Sequence, residues 1–302
     1  MSAVAAEVRR APASAKSRRQ RIDVAKLLLG VWTAALIVFL MLPILYVIIH
    51  SMNGGNSFNI WKEFGGLKWY RELLDTPSTR DTLINSFKAA IGSTLIAVVI
   101  GALAGVALVR RPGRWTALYF GLLVLVMVTP EIIDGFGLLG LFFNTLSGTF
   151  FEQGLFGIRG GMLRMWIGHS LFSSAVVTLI VRARLQGLDE SLEEAAADLG
   201  ATPVRAFRQI TLPLMSPALI AGAMLSFSFS LDNVITSNFV GNDASTFPVY
   251  LLGTVKSSTK PSAGAGGVLL FAFTLAFAAV AILVAKRSGQ SSSEIASNLA
   301  AG

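Results

Sequence analysis

Residues 188–213 read LDESLEEAAADLGATPVRAFRQITLP, a polar stretch between two long apolar ones. Ser191 and Glu194 have the spacing of a capping box, in which each side chain binds the backbone N–H of the other residue. A first short helix is therefore predicted to begin at Ser191. Gly200 is predicted to end it, because glycine adopts the positive φ that closes many helices at little steric cost.

A second short helix is predicted after this turn. Thr202 is a favourable N-cap, and Pro203 suits the first helical position. The Leu212-Pro213 pair is expected to end the helix, because a proline inside a helix removes a hydrogen bond. Four apolar side chains lie on the helix pair: Ala195, Ala196, Leu199 and Phe207. A loop of this size cannot bury them alone, which indicates a protein partner.

The chain on either side of this loop is strongly apolar. Of its 302 residues, 53% are hydrophobic and 14% are charged, whereas soluble domains carry about 25% charged residues. A helix needs about 20 residues to cross a bilayer. Six stretches qualify: 27–49, 83–109, 115–143, 162–181, 216–240 and 264–285. The predicted fold is an all-α membrane protein of six transmembrane helices, with the helix pair between the fourth and the fifth.

Two features within the spans predict local geometry. The third span is unusually long and contains Pro130, which predicts a kink or a break. Gly101 and Gly105 in the second span are four residues apart, so they share one helix face and allow another helix to approach closely.

The basic residues predict the orientation in the membrane. The amino-terminal segment, the 110–114 turn, the polar loop and residues 286–287 hold 16 of the 25 Lys and Arg residues. Because cytoplasmic segments are enriched in basic residues, the loop and both termini are predicted to lie in the cytoplasm.

The same charge pattern divides the chain into three parts. Residues 1–26 are expected to be a disordered basic tail near anionic lipid, 27–286 the six-span domain, and 287–302 a second cytoplasmic tail. Basic residues placed beside apolar spans account for the net charge of +8 without nucleic acid as a partner.

The polar loop resembles the EAA loop of binding-protein-dependent ABC importer permeases. The pattern of that family is Glu-Ala-Ala, three residues, Gly, nine residues, then Ile-x-Leu-Pro. The residues that match it without a gap are Glu194, Ala195, Ala196, Gly200, Ile210, Leu212 and Pro213. The resemblance covers about residues 80–286. It implies a transmembrane permease subunit in the inner membrane of a bacterium, whose loop couples transport to a separate ATPase. The alternative is that these residues serve only as caps and a turn.

The resemblance also implies partners: ABC ATPase subunits, a second permease chain in a heterodimer, and an external solute-binding protein, periplasmic or lipid-anchored. No Gly-Lys dipeptide occurs in the chain, so the phosphate-binding loop of ATPases is absent from the sequence. ATP is therefore expected to bind to the partner, and neither a cofactor nor catalysis is expected in this chain. There is no cysteine, which excludes thiolate metal sites.

Acidic residues within the spans are the candidate solute path. A charge at the centre of a span costs about 2.5–3.5 kcal/mol on insertion scales, which favours a functional role. Glu131 and Asp134 lie in the third span and Asp232 in the fifth, with Glu131 and Asp232 at similar depth. Lys88 is expected to be the only basic counterpart. These acids suit a cationic solute, although each also suits a structural role such as binding backbone groups freed at Pro130.

The sequence around the acids resembles the spermidine/putrescine permeases. Ser230-Leu231-Asp232-Asn233 followed by Val234-Ile235-Thr236 is similar to the Ser-Leu-Asp-Asp-x-x-Ile-Thr stretch of that group. Ser230 and Asn233 are therefore added to the candidate path. The resemblance implies import of a polyamine. Because Asn233 stands where the second Asp is usual, a smaller amine, an amino acid, or an opine-like or phosphonate compound remains an alternative solute.

Two other classes of protein compete with this interpretation. An intramembrane enzyme needs a catalytic dyad in the spans, and no Asp pair in a known motif or Ser–His pair at suitable spacing is apparent. A proton-coupled secondary carrier would use in-span acids as relays, but the match to the EAA loop argues against it.

Overall fold

The computed structural model describes residues 24–56, 61–110, 113–189, 191–257 and 261–287. Most of the predicted amino-terminal tail and of the carboxy-terminal tail lies outside these residues. The chain forms two compact units, Met1–Tyr46 and Val47–Gly302. In chain order the helices are α1 (Val24–Ser51), α2 (Lys68–Asp75), α3 (Pro77–Arg110), α4 (Arg114–Val128), α5 (Glu131–Gly140), α6 (Phe150–Gln153), α7 (Gly160–Gln186), α8 (Ser191–Asp198), α9 (Pro203–Ala206), α10 (Leu212–Leu231), α11 (Ile235–Val240), α12 (Phe247–Ser257) and α13 (Pro261–Arg287).

The all-α membrane architecture is confirmed. Five helical segments are long and apolar enough to cross a bilayer, and their bounds are Lys26–Ser51, Pro77–Arg110, Gly160–Gln186, Pro203–Leu231 and Pro261–Val280. A bent pair, Arg114–Val128 and Glu131–Thr145, makes a sixth if its two halves are one span. The halves meet at 106°, so the kink or break predicted at Pro130 is confirmed as a sharp break.

The predicted fifth span, 216–240, is wrong at its carboxy-terminal end. The helix α10 ends at Leu231, and α11 begins only at Ile235. The side chain of Asn233 accepts a hydrogen bond of 3.1 Å from the backbone N–H of Ser237. Asn and Asp side chains compete in this way with the regular helical hydrogen bonds, which explains why the helix stops here and a new one starts.

The second helix of the polar loop does not end at Leu212-Pro213, as the sequence predicted. It begins at Pro203 and continues into the fifth span as one apolar helix, Pro203–Leu231. A π-helical segment, Phe207–Thr211, precedes the proline, and the Leu212 N–H binds the Phe207 carbonyl. Proline has no N–H to donate, and its ring clashes with the preceding turn of a regular α-helix. The wider π-helical turn accommodates Pro213 without ending the helix.

Three helices form the centre of the second unit. The helix α3 packs most extensively against α7, and α10 packs against both. A buried apolar cluster joins the three helices, with Ala97 from α3, Val177, Val181 and Leu185 from α7, and Met215 from α10. This three-helix centre holds the polar loop at one end and the breaks of the third and fifth spans at the other.

The close approach predicted for Gly101 and Gly105 is confirmed. A Cβ atom at Gly101 would lie 2.6 Å from Val177 Cβ and 3.0 Å from the backbone nitrogen of Thr178. A Cβ at Gly105 would lie 2.6 Å from Val181 Cγ1. Because the obstructing atoms belong to backbone or to stiff β-branched side chains, they cannot move aside easily.

We expect Gly101→Ala to lower the thermal stability of the protein in detergent. The added methyl forces α3 away from α7, and overpacking of this kind costs about 1–3 kcal/mol, more than alanine gains over glycine in helix propensity. Gly121→Ala in α4 is the matched control, because a Cβ there has nothing within 4 Å. Equal melting temperatures for the two variants would contradict the packing argument.

Candidate functional site

An acidic cavity lies where the two broken spans meet α7. Its volume is about 500 Å³. The start of α5, the middle of α7, the end of α10 and the segment leading into α11 contribute to its wall. The polar residues of the lining are Thr129, Glu131, Asp134, His169, Ser173, Asp232, Asn233 and Thr236. The structure therefore brings together Glu131, Asp134, Asp232 and Asn233, four of the five residues predicted for the solute path.

The carboxylate of Glu131 joins the two breaks. The Asn233 side-chain amide and the Thr236 hydroxyl both donate to Glu131 Oε1, the latter at 3.2 Å. Glu131 is the first residue of α5, and Thr236 lies in α11. Since Asn233 also accepts from the Ser237 N–H, its amide group fixes both the carboxylate and the start of α11.

The cavity is acidic without a basic counterpart. Within the described ranges, Glu131, Asp134 and Asp232 make no ion pair. Lys88, the only basic counterpart that the sequence offered, is not among the residues that line the cavity. A carboxylate in a partly desolvated site attracts cations strongly, so this lining suits a positively charged group.

His169 is a component of the site that sequence reasoning missed. It is buried in α7, with Nδ1 2.6 Å from the Ser230 hydroxyl and Nε2 3.0 Å from the Ser237 hydroxyl. Ser230 belongs to α10 and Ser237 to α11, so one imidazole connects the helices on both sides of the fifth-span break. Ser230 itself does not line the cavity; it supports the wall through His169.

A buried arginine, also missed, fixes the region beyond the cavity. Arg164 in α7 is only 2% exposed. It donates to the Val240 carbonyl at 2.8 Å and to the Phe151 carbonyl at 2.6 Å, and it lies 3.3 Å from the Asp243 carboxylate. Its charge is thus paired and hydrogen-bonded, as burial requires. It ties α6 and the end of α11 to α7.

The polar loop forms the second part of the candidate site. Gly200 has a φ of +80°, as predicted for the residue that ends α8. The Ala201 N–H binds the Ala196 carbonyl and the Gly200 N–H binds the Ala197 carbonyl, each at 2.9 Å. These two bonds are the Schellman closure of a helix. Thr202 occupies the N-cap position of α9 and Pro203 is the first residue of that helix, as predicted, but the Thr202 side chain makes no capping hydrogen bond.

The capping box predicted at the start of α8 is wrong. Ser191 is the first helical residue, and its backbone N–H donates to Asp189 Oδ1 at 2.9 Å. This hydrogen bond holds the pKa of Asp189 below its ordinary value. The helix start is therefore stabilised by the Asp189 side chain, and not by a reciprocal pair of Ser191 and Glu194.

The helix α8 presents two different sides. Glu194, Ala195 and Leu199 are exposed, Leu199 by 90%. Val204 at the start of α9 is 68% exposed and extends the same apolar surface. Glu193 and Ala196 are half-buried. Of the other motif residues, Ile210 is half-buried in the π-helical segment, and Leu212 and Pro213 are exposed in the first turn of α10.

Comparison with known proteins identifies the family of this chain. Residues 97–289 match the family described as binding-protein-dependent transport system inner membrane component. The chain belongs to this family. The matched region includes both breaks, the cavity lining and the polar loop, so the permease resemblance seen in the motif extends over most of the chain.

Curated relatives of this permease have related names. The putrescine transport system permease protein PotI of Escherichia coli K12 is 34% identical over 235 residues, which cover 77% of this chain and 81% of PotI. The spermidine/putrescine transport system permease protein PotC of the same strain is 33% identical over 264 residues, covering 87% and 96%. Among solved structures, a chain of a bacterial alginate ABC transporter has a similar fold, with a TM-score of 0.68, 14% identity and coverage of 88% and 96%.

We expect Ser230→Ala to destabilise the permease much more than Ser226→Ala. Loss of the Ser230 hydroxyl leaves His169 Nδ1 buried without a partner, which costs about 1–3 kcal/mol. Ser226 lies one turn away in α10 and is also buried, but within the described part of the chain its hydroxyl has no hydrogen-bond partner. Melting temperatures of the two purified variants in detergent measure the difference, and an equal loss in both would contradict the role given to His169.

Proposed function

We propose that this permease is a subunit of an ATP-binding-cassette importer that moves a small cationic organic solute of the polyamine type. An external binding protein delivers the solute, and a separate ATPase drives its passage. The observation that carries the proposal is the cavity at the two span breaks, which three carboxylates line without a basic partner among the described residues.

Charge and shape both support a cationic solute. Within the described residues, neither the Asp134 nor the Asp232 side chain is bonded to another side chain, so both remain available to an ammonium group. Phe172 and Phe229, whose ring centroids lie 5.6 Å apart, form an apolar part of the same wall. Methylene chains of a polyamine suit such rings, and ammonium groups also bind aromatic faces.

The exposed side of α8 supports coupling to an ATPase. The residues that match the EAA pattern begin on this helix, where Glu194 and Ala195 are exposed beside Leu199. A short helix with an exposed apolar residue and a fixed end suits insertion into a cleft of another protein. In this proposal α8 enters the ATPase on the cytoplasmic side, both termini lie in the cytoplasm, and a second permease chain completes the pathway.

A second candidate solute is a smaller amine or an amino acid. Asn233 takes the place of a carboxylate that the polyamine permeases usually carry, and its amide neutralises part of the Glu131 charge by donating to it. The cavity then offers fewer free negative charges to a long polyamine. Competition of putrescine, spermidine and amino acids for uptake distinguishes the two candidates.

We expect Asp232→Asn to reduce uptake of the solute by about tenfold or more, because hydrogen bonds to charged groups are worth about 1.5–3 kcal/mol. The measurement is uptake of labelled putrescine and spermidine by the assembled importer, with an anionic compound alongside. Glu72→Gln, an exposed acid in α2, is the matched control and should transport normally. Wild-type uptake of the anion alone, or full activity of Asp232→Asn, would end the cation proposal.

We expect Gly200→Val to abolish coupling while the protein still inserts in the membrane. A Cβ at Gly200 meets nothing within 4 Å, so the penalty comes from the φ of +80°, which β-branched residues avoid. Gly200→Asn is the control, since asparagine tolerates this conformation. Solute uptake and ATPase co-purification should fall in the valine variant and remain in the asparagine variant; normal values for both variants would contradict the assignment of the loop.

A further inference from the structure

Glu193 is the residue through which α8 is attached to the spans. Its Oε1 atom accepts from Arg110 and from the Thr211 hydroxyl. Arg110 is the last residue of α3, and Thr211 lies in the π-helical segment that leads into α10. One carboxylate oxygen thus connects α8 with the ends of two spans that are distant in sequence.

Few other contacts hold α8 in place. Among the described elements, α8 packs substantially only on the two segments that follow it, α9 and the π-helical segment. In the described part of the chain, the other hydrogen bond between α8 and a side chain is the local one from the Ser191 N–H to Asp189. The closing turn at Gly200 has open space around it. A force on α8 therefore reaches the spans through the backbone, which leads to α7 on one side and to α9 on the other, and through the Glu193 carboxylate.

The position of Glu193 on the helix fits this role. It is half-buried, whereas its neighbour Glu194 is exposed. The side of α8 that carries Glu193 faces the spans, and the opposite side presents Leu199 and Ala195. The partly buried location limits the screening that makes exposed ion pairs weak.

We propose that Glu193 is a positioning residue that transmits movement of α8 to α3 and α10 together. The inference rests on the proposed docking of α8 to an ATPase, and it adds the route inside this chain. The helix α3 is packed against α7, whose side chains line the cavity. The helix α10 is followed directly by Asp232, another lining residue. Displacement of one carboxylate therefore moves two walls of the cavity in concert.

The role of Glu193 differs from that of a purely stabilising ion pair. A stabilising pair contributes the same energy whatever α8 does, so its loss lowers the amount of folded protein. A transmitting pair carries the movement of α8 to the spans. Its loss therefore lowers the number of solute molecules imported for each ATP hydrolysed. The ratio of transport to hydrolysis separates the two roles.

The test uses the complete importer in proteoliposomes, with binding protein and ATP. Glu193→Ala should lower solute imported per ATP hydrolysed by about fivefold or more, the lower end of typical coupling between sites, with the amount of assembled ATPase unchanged. Arg110→Ala should lower the ratio in the same direction. The double variant should be no worse than Glu193→Ala alone, because residues that act through one contact are not additive.

Asp198→Ala is the matched control, since it removes a carboxylate from the exposed part of the same helix. It should leave the ratio per assembled complex unchanged. Multiplied losses in the double variant, an unchanged ratio in Glu193→Ala, or an equal loss in Asp198→Ala would each overturn the proposal. Failure of the wild-type chain to bind any ATPase or to transport would instead refute the proposed function, and the two failures are thereby distinguishable.

Discussion

The requirement that dominates this molecule is that a broken helix in a membrane must satisfy its own backbone and polar groups. Lipid offers no hydrogen bonds, so irregular backbone is tolerated only where protein or a water-filled cavity surrounds it. Here the break of the third span and the break of the fifth lie together. The Asn233 amide and the Thr236 hydroxyl both donate to the Glu131 carboxylate across them. Each break therefore supplies the partners that the other one needs, and the cavity is the space left between them.

The same arrangement makes the cavity wall depend on a small number of contacts. His169 binds serines on either side of the fifth-span break, and Asn233 starts the helix beyond it. The glycine face of α3 brings α7 near enough for these contacts to form. Packing by small residues and polar contacts across helices are the usual means of association between membrane helices, where the hydrophobic effect contributes little.

Features that are local in sequence were predictable, and those that join distant segments were not. The positive φ of Gly200, the N-cap position of Thr202, the break at Pro130 and the close approach at Gly101 depend on neighbouring residues or on glycine spacing alone. The roles of His169 and Arg164 were not predicted because their partners are far along the chain. Ser230 is 61 residues from His169, and Val240 is 76 residues from Arg164. A lone histidine or arginine in an apolar span is a signal in itself, since such residues require partners. The continuation of the helix through Pro213 was missed because a π-helical turn depends on packing against α8 and α9.

The buried pair of Arg164 and Asp243 has a consequence for how the protein is made. The fourth span has the lowest mean hydropathy of the five continuous ones, 1.3, and it carries a charge that no residue of its own helix neutralises. The acid that pairs with this charge comes 79 residues later, after the fifth span. During synthesis the fourth span therefore leaves the ribosome before its counterion exists. The fourth span therefore reaches its stable position in the bilayer only after the fifth span and Asp243 have been made. The fourth and fifth spans are thus expected to insert together.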